Sequence, residues 1–235
     1  MKVVDVNERT KGEKRVHAMY SQLDDRWQRI MLGESSTTIG ANGCLICAVA
    51  SGLTDLGITI DGLPPDPPRL NRWLARHKGF AAARGQSRER NLFVFDSLGP
   101  LGVRMVEYVD ARTRAAPLDR LRTALERDDQ FVVIHVDFSP GGETQQHWVR
   151  ALECYDSDVR LMDPWVKGPL QETYLMTRYA LPSWDDPSRA IYRMVVYRLV
   201  GLALTGPMPG FPAQQYVQER LDTYLPYEVM PGGII

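Results

Sequence analysis

The chain of 235 residues has little cysteine, lysine or histidine and no long apolar run. Its three cysteines, at positions 44, 47 and 154, form no even framework, and a chain this size needs no covalent staples. That argues against a disulfide-rich secreted scaffold and for reduced thiols made in a reducing compartment. The opening MKVVDVNERTKGEKRVHAMY lacks an apolar stretch long enough for a signal-peptide core, and no later window approaches a membrane span. A soluble protein without a general secretion signal is therefore expected. Lysine numbers 5 against 23 arginines, which reads as coding bias toward a GC-rich genome rather than as a site. The 28 basic and 29 acidic residues nearly cancel, so the charge balance points to no nucleic-acid or acidic-membrane partner. No internal repeat is present.

With 44% hydrophobic content, the chain can bury one large core. Three regions are expected: a polar N-terminal arm over 1–19, a domain over 20–204, and an extension over 205–235 rich in proline and glycine. From Gly43 to Gly57 the apolar residues Ile46, Val49, Ala50, Leu53 and Leu56 recur at helical spacing, with Gly57 as the stop. The spacing predicts a helix whose first turn holds Cys44, where unsatisfied N–H groups and the positive end of the macrodipole favour a thiolate. A second helix is predicted from Pro68 to Gly79, and an amphipathic one over 118–127. The stretch NLFVFDSL fits strand or helix equally, while VRMVEYVD alternates like a strand. FVVIHVDF (131–138), QHWVRALE (146–153) and DVRLMD (158–163) predict three consecutive antiparallel strands, and AIYRMVVYRLV (190–200) a further one. Helices first and strands afterwards is the pattern of an α+β domain.

Four segments carry chemistry: SQLDDRW (21–27), IGANGCLICAVASGL (39–53), QHWVRAL (146–152) and RLMDPW (160–165). They supply Gln22, Cys44, His147 and Asp163. A thiol is a useful nucleophile near neutral pH only if something lowers its pKa and something else takes and returns a proton, so these residue types form a chemical set. Alternation within QHWVRALE places His147, Val149 and Ala151 on one face and Trp148, Arg150 and Leu152 on the other. The histidine's face is the expected place for a site.

In this order the segments resemble the bacteriocin-processing, double-glycine cysteine peptidases and, more closely, their stand-alone "peptidase thirty-nine-like" relatives. The matching residues are Gln22, Asp24 and Trp27; Gly43 and Cys44; His147, Trp148 and Val149; Asp163 and Pro164. The resemblance covers about residues 20 to 200. It implies a papain-like α+β fold in which a central N-terminal helix packs on an antiparallel sheet. It also implies that Cys44 is the nucleophile and His147 the base. Asp163 would orient the imidazole, while the Gln22 amide and the Cys44 N–H would bind the oxyanion. No cofactor and no metal are implied. The activity implied is hydrolysis of a peptide bond, and bacterial cell-wall peptides are a reasonable substrate for relatives found in bacteria and their phages. Bacterial cytoplasm or a phage virion is the matching location. Two alternatives stay open: a structural component of a phage particle that docks other virion proteins through 205–235, and a thiol amidase or transpeptidase using the same residues.

Plainer readings stand beside these. A lone Cys44 is an inert core thiol, and Cys44 with Cys47 is formally a C-x-x-C, redox-active or half of a zinc site. His17, His77 and His135 read as incidental. Gly232-Gly233 resembles the site that the bacteriocin-processing branch cleaves, although a chain end rich in glycine is the simpler account.

Overall fold

The computed structural model describes residues 16–83, 89–141 and 144–201, and for 169 and 170 the backbone only. The expected extension over 205–235, with Gly232-Gly233, and all but the last four residues of the expected arm lie outside these.

Two helices that almost touch begin the fold: α1 (Ile39–Asn42), capped by the Thr38 side chain, and α2 (Cys44–Asp55). Every residue of α2 from Cys44 to Leu53 is buried, the mark of a helix packed on more than one side. Gly57, with φ of 72°, follows its end. Next come α3 (Pro67–Arg76), N-capped by Asp66, and the small pair β1 (Phe80–Ala82) and β2 (Arg90–Phe93). The ambiguous NLFVFDSL resolves into the end of β2 and a 3-10 helix, Phe95–Leu101. The rest is β3 (Val103–Asp110), α4 (Leu118–Leu125), β4 (Gln130–Asp137), β5 (Gln146–Cys154), β6 (Val159–Met162), β7 (Glu172–Tyr174), α5 (Leu175–Tyr179) and β8 (Arg193–Leu199).

Six strands form one antiparallel sheet in the order β3-β8-β4-β5-β6-β7. The mixed helix and antiparallel-sheet class expected from the sequence is what the chain adopts. Both faces of the sheet are covered, which explains why FVVIHV of β4 is continuously buried rather than alternating. Phe131, Val133, Trp148, Leu152, Val195 and Tyr197 share a core with α2 and α3. Val132, Ile134, Val136, Val149, Ala151 and Val196 share the other with α4 and α5. Helix α2 sits hard against β4: a Cβ on Gly52 would lie 2.3 Å from the Phe131 ring. Among the described residues no helix is long and apolar enough to cross a membrane.

This arrangement corrects the expectation about faces. The helix that carries Cys44 packs on the Trp148 and Leu152 side, opposite Val149 and Ala151. The thiol and His147 therefore meet at the end of the sheet rather than over one face. Antiparallel pairing of Arg150 with Met162 and Ala151 with Leu161 puts the start of β5 and the end of β6 at that same end.

Candidate active site

Cys44 is the first residue of α2. Gly43 joins α1 to α2 so closely that a Cβ there would lie 2.4 Å from the Ile39 carbonyl oxygen, so the residue before the thiol has to be glycine. The Gly43 N–H donates to that same oxygen at 2.7 Å, and the Cys47 N–H to Gly43 O at 3.0 Å. The Cys44 N–H belongs to the open first turn, among the donors a helix cannot satisfy by itself.

His147 enters from the second position of β5. Its Nε2–H donates to Asp163 Oδ1 at 2.8 Å, which leaves Nδ1 as the nitrogen available to the Cys44 thiol. Burial alone would push the imidazole down. Hydrogen bonds to Asp163 and to Cys44, with the negative charge on both, override it and raise His147 to about 9. The aromatic rings of Phe138, at 5.3 Å, and Tyr179, at 5.7 Å, wall the imidazole in. Trp165 packs edge-on against Phe138 and stays partly exposed.

Asp163 follows the last residue of β6 and is fully buried. Burial would raise its carboxyl, but His147, Tyr179 and the Trp165 N–H hold it below the usual carboxylate range. The Trp165 N–H donates to Oδ1 at 2.9 Å and the Tyr179 hydroxyl to Oδ2 at 2.6 Å. Neither donor was singled out from the sequence. The turn Asp163-Pro164-Trp165 foretells the first, whereas Tyr179 lies on a five-residue helix with no capping side chain to announce it.

Gln22 is almost completely buried between the other parts of the site. Its backbone N–H donates to Pro164 O at 2.8 Å, and its side-chain Nε2 donates to Gly40 O at 2.8 Å. One residue, through its backbone and its side chain, thus bridges the turn after Asp163 and the helix before Cys44. Nε2 has two hydrogens and uses one on Gly40, so the other is available. The segment is held by Trp27, whose Nε1–H donates to Ser21 O at 2.7 Å. Asp24, another residue of the motif, pairs with Arg26 and accepts from backbone N–H groups of its own turn.

The remaining candidates separate from the site. All three cysteines are free thiols. Cys47 is fully buried, and burial together with the neighbouring Cys44 charge pushes its thiol well up. Among the described residues no group of three or more His, Cys, Asp or Glu could hold a metal ion. His77 donates from Nδ1 to Trp73 O at the end of α3. His135 accepts from Arg193 at 3.1 Å and stacks on Trp148, and burial with that guanidinium pushes it well below its ordinary value. His17, which reads as incidental within a polar arm, is buried against Asp55 at the far end of α2, away from the thiol.

The structure therefore defines an α+β protein with a thiol, an imidazole and a carboxylate in a row at the N-terminus of its buried helix. The sequence matches no protein-family model and no curated protein. Among solved structures it is similar to a Bacillus anthracis protein named as a candidate C39-like peptidase, with a TM-score of 0.43 and 16% identity, over 77% of this chain and 93% of that one.

Proposed function

We propose that the chain is a papain-like cysteine peptidase that hydrolyses a peptide bond through Cys44, His147 and Asp163. The observation that carries this reading is the doubly partnered His147, bonded through Nε2 to Asp163 at 2.8 Å and raised to about 9 with Cys44 as its other partner. An imidazole whose pKa is lifted this way holds a proton at neutral pH beside a thiol, the ion pair that such a nucleophile needs. In the first step the Cys44 sulfur attacks the scissile carbonyl carbon and the carbonyl oxygen takes the negative charge. The free Gln22 N–H and the Cys44 backbone N–H donate to that oxygen. The imidazolium then gives its proton to the leaving amine, which departs as the carbonyl reforms and leaves a thioester on Cys44. Water, deprotonated by the now neutral His147, hydrolyses the thioester and restores the thiolate and the imidazolium. Asp163 keeps Nε2 protonated throughout, so that Nδ1 is the nitrogen that exchanges protons.

Four sequence segments in papain-like order support the same reading from an independent direction. The test is Cys44→Ala against Cys47→Ala in a peptide-hydrolysis assay over a mixed peptide library. Loss of at least ~10³-fold in turnover is expected for the first, with a native melting profile, and little change for the second. Equal loss in both, with both folded, would point instead to a dithiol site.

A further inference from the structure

We infer that Tyr179 is the positioning residue of this site, a fourth member of the row Cys44–His147–Asp163–Tyr179 whose hydroxyl fixes the carboxylate that fixes the imidazole. The inference rests on the peptidase reading for its kinetic consequences, but its geometric part stands alone.

Carboxylates turn easily, because the terminal torsion of an aspartate side chain is broad and two-fold. Holding one in a single orientation requires donors on both oxygens. Oδ1 of Asp163 receives two, His147 Nε2–H at 2.8 Å and the Trp165 N–H at 2.9 Å. Oδ2 receives Tyr179 at 2.6 Å. Its next donor is Arg178 Nε at 3.6 Å, beyond hydrogen-bond distance. Tyr179 is thus the only hydrogen bond to Oδ2 among the described residues. Without it a fully buried oxygen would keep only the Arg178 charge at 3.6 Å and no hydrogen bond, and the carboxylate would be less firmly held toward His147. The phenol is itself fully buried, and burial together with the Asp163 charge pushes it far above its ordinary value. It is therefore protonated, and a donor, at neutral pH.

Local structure delivers the hydroxyl to this place. Leu175 and Tyr179 stand one turn apart on α5, and both are fully buried. The Asp158 carboxylate anchors the start of the helix, because its Oδ1 accepts from Met176 N–H at 2.9 Å and also from Val159 N–H at 2.7 Å. The first turn of α5 and the first residue of β6 therefore share one anchor, and β6 leads directly to Asp163. Among the described residues no bond joins Tyr179 to the thiol: its hydroxyl acts through Asp163, while its ring, which a phenylalanine would keep, packs on the imidazole at 5.7 Å.

The experiment is Tyr179→Phe in the full chain, read by the ¹⁵N-histidine spectrum of His147 and by the pH dependence of peptide hydrolysis. The hydroxyl favours the ionised form of Asp163, so its loss should move the acid limb of kcat to higher pH. Turnover should fall about 10- to 100-fold with KM little changed, the range expected when a hydrogen bond to a charged group is lost. The low-field Nε2–H resonance should shift or broaden. A folded variant with the wild-type resonance, acid limb and turnover would overturn the inference. Should the unaltered protein hydrolyse no peptide, the peptidase reading falls while a shifted resonance still upholds the positioning role, and an unshifted one overturns it. If the phenylalanine variant does not fold, 3-fluorotyrosine at 179, a stronger donor of the same shape, should move the resonance and send the acid limb to lower pH. Unmoved values there would overturn the inference equally.

Discussion

Two histidine–aspartate pairs flank α2, one at each end, and they look alike at first. His147 meets Asp163 at 2.8 Å near the N-terminus, and His17 meets Asp55 at 2.6 Å at the C-terminus. Each pair is largely hidden from water. They differ in what surrounds them. Asp55 is the last residue of α2, where the negative end of the helix dipole disfavours another negative charge. It is accordingly met by cations and donors alone: His17, the Ala18 N–H at 2.9 Å and the Arg150 guanidinium at 2.8 Å. Arg150 also donates to Ser51 Oγ at 2.7 Å, so this network ties α2 to β5 and to the segment at residues 17–18. At the other end the first residue of the helix is a thiol, at the positive end of the dipole, and the imidazole stands between it and a carboxylate. A histidine–aspartate pair does not by itself mark a catalytic centre. The two pairs differ in the group beyond the second ring nitrogen and in the helix end it sits on.

The comparison breaks most sharply under matched substitutions. His147→Gln should remove at least ~10³-fold of peptide turnover while leaving a folded protein, because the glutamine fills the space without exchanging protons. His17→Gln should leave turnover per folded molecule unchanged. It should lower unfolding free energy by about 1–3 kcal/mol, the cost of disturbing a buried hydrogen bond to a charged group. Denaturant titration and a peptide assay on both variants check the pair. If His17→Gln lost turnover as His147→Gln does, the two ends would not be functionally distinct.

A second and smaller effect concerns pH. The folded pKa of His147, about 9, lies above its ordinary value of 6.5. Its contribution to stability is therefore complete below about 6.5 and is lost as pH rises through about 9. The amount at stake is on the order of 3 kcal/mol, at about 1.4 kcal/mol for each pH unit. Asp163 works in the opposite sense: its carboxyl is held below 3.8, so its contribution is complete above that value and disappears as pH falls through the folded pKa. Hydrolysis should show an alkaline limb near 9, where the proton needed by the leaving amine is lost. In Cys44→Ala the His147 titration, followed by NMR, should move to lower pH because one of the two groups that raise it is gone. A titration unchanged by that substitution would show that Asp163 alone sets it.

Much of this was legible in the sequence where periodicity and chemistry coincide. The helix from Cys44, the strands at 131, 146 and 158, and the order of Gln22, Cys44, His147 and Asp163 could all be read directly. The sheet face was misread because alternation along QHWVRALE fixes which side chains go together but not which side α2 covers. The burial of His17 was not legible for a related reason: MKVVDVNERTKGEKRVHAMY is charged on average, and an average conceals a single buried histidine whose partner is 38 residues away. Tyr179 was missed because α5 is too short to show periodicity, and its function is set by proximity to Asp163 rather than by local pattern.

The smallest predicted effect tests the same contrast within a single turn of helix. Cys44 and Cys47 stand three residues apart on α2, yet Cys44 keeps 8% exposure at the helix start while Cys47 keeps none. Burial and the charge at Cys44 push the Cys47 thiol well up, and burial also raises Cys154. An iodoacetamide-type reagent near pH 7 should therefore modify Cys44 first, with Cys154 slower and Cys47 unreacted until the protein unfolds. Cys47→Ala should leave that order and the rate at Cys44 within about twofold and cost about 1 kcal/mol of stability, the scale of a small core truncation. Peptide mapping of the labelled protein checks it. Faster labelling of Cys47 in the folded chain would mean that the start of α2 opens by at least a turn. The difference between the two thiols would then come from helix fraying rather than from their places along α2.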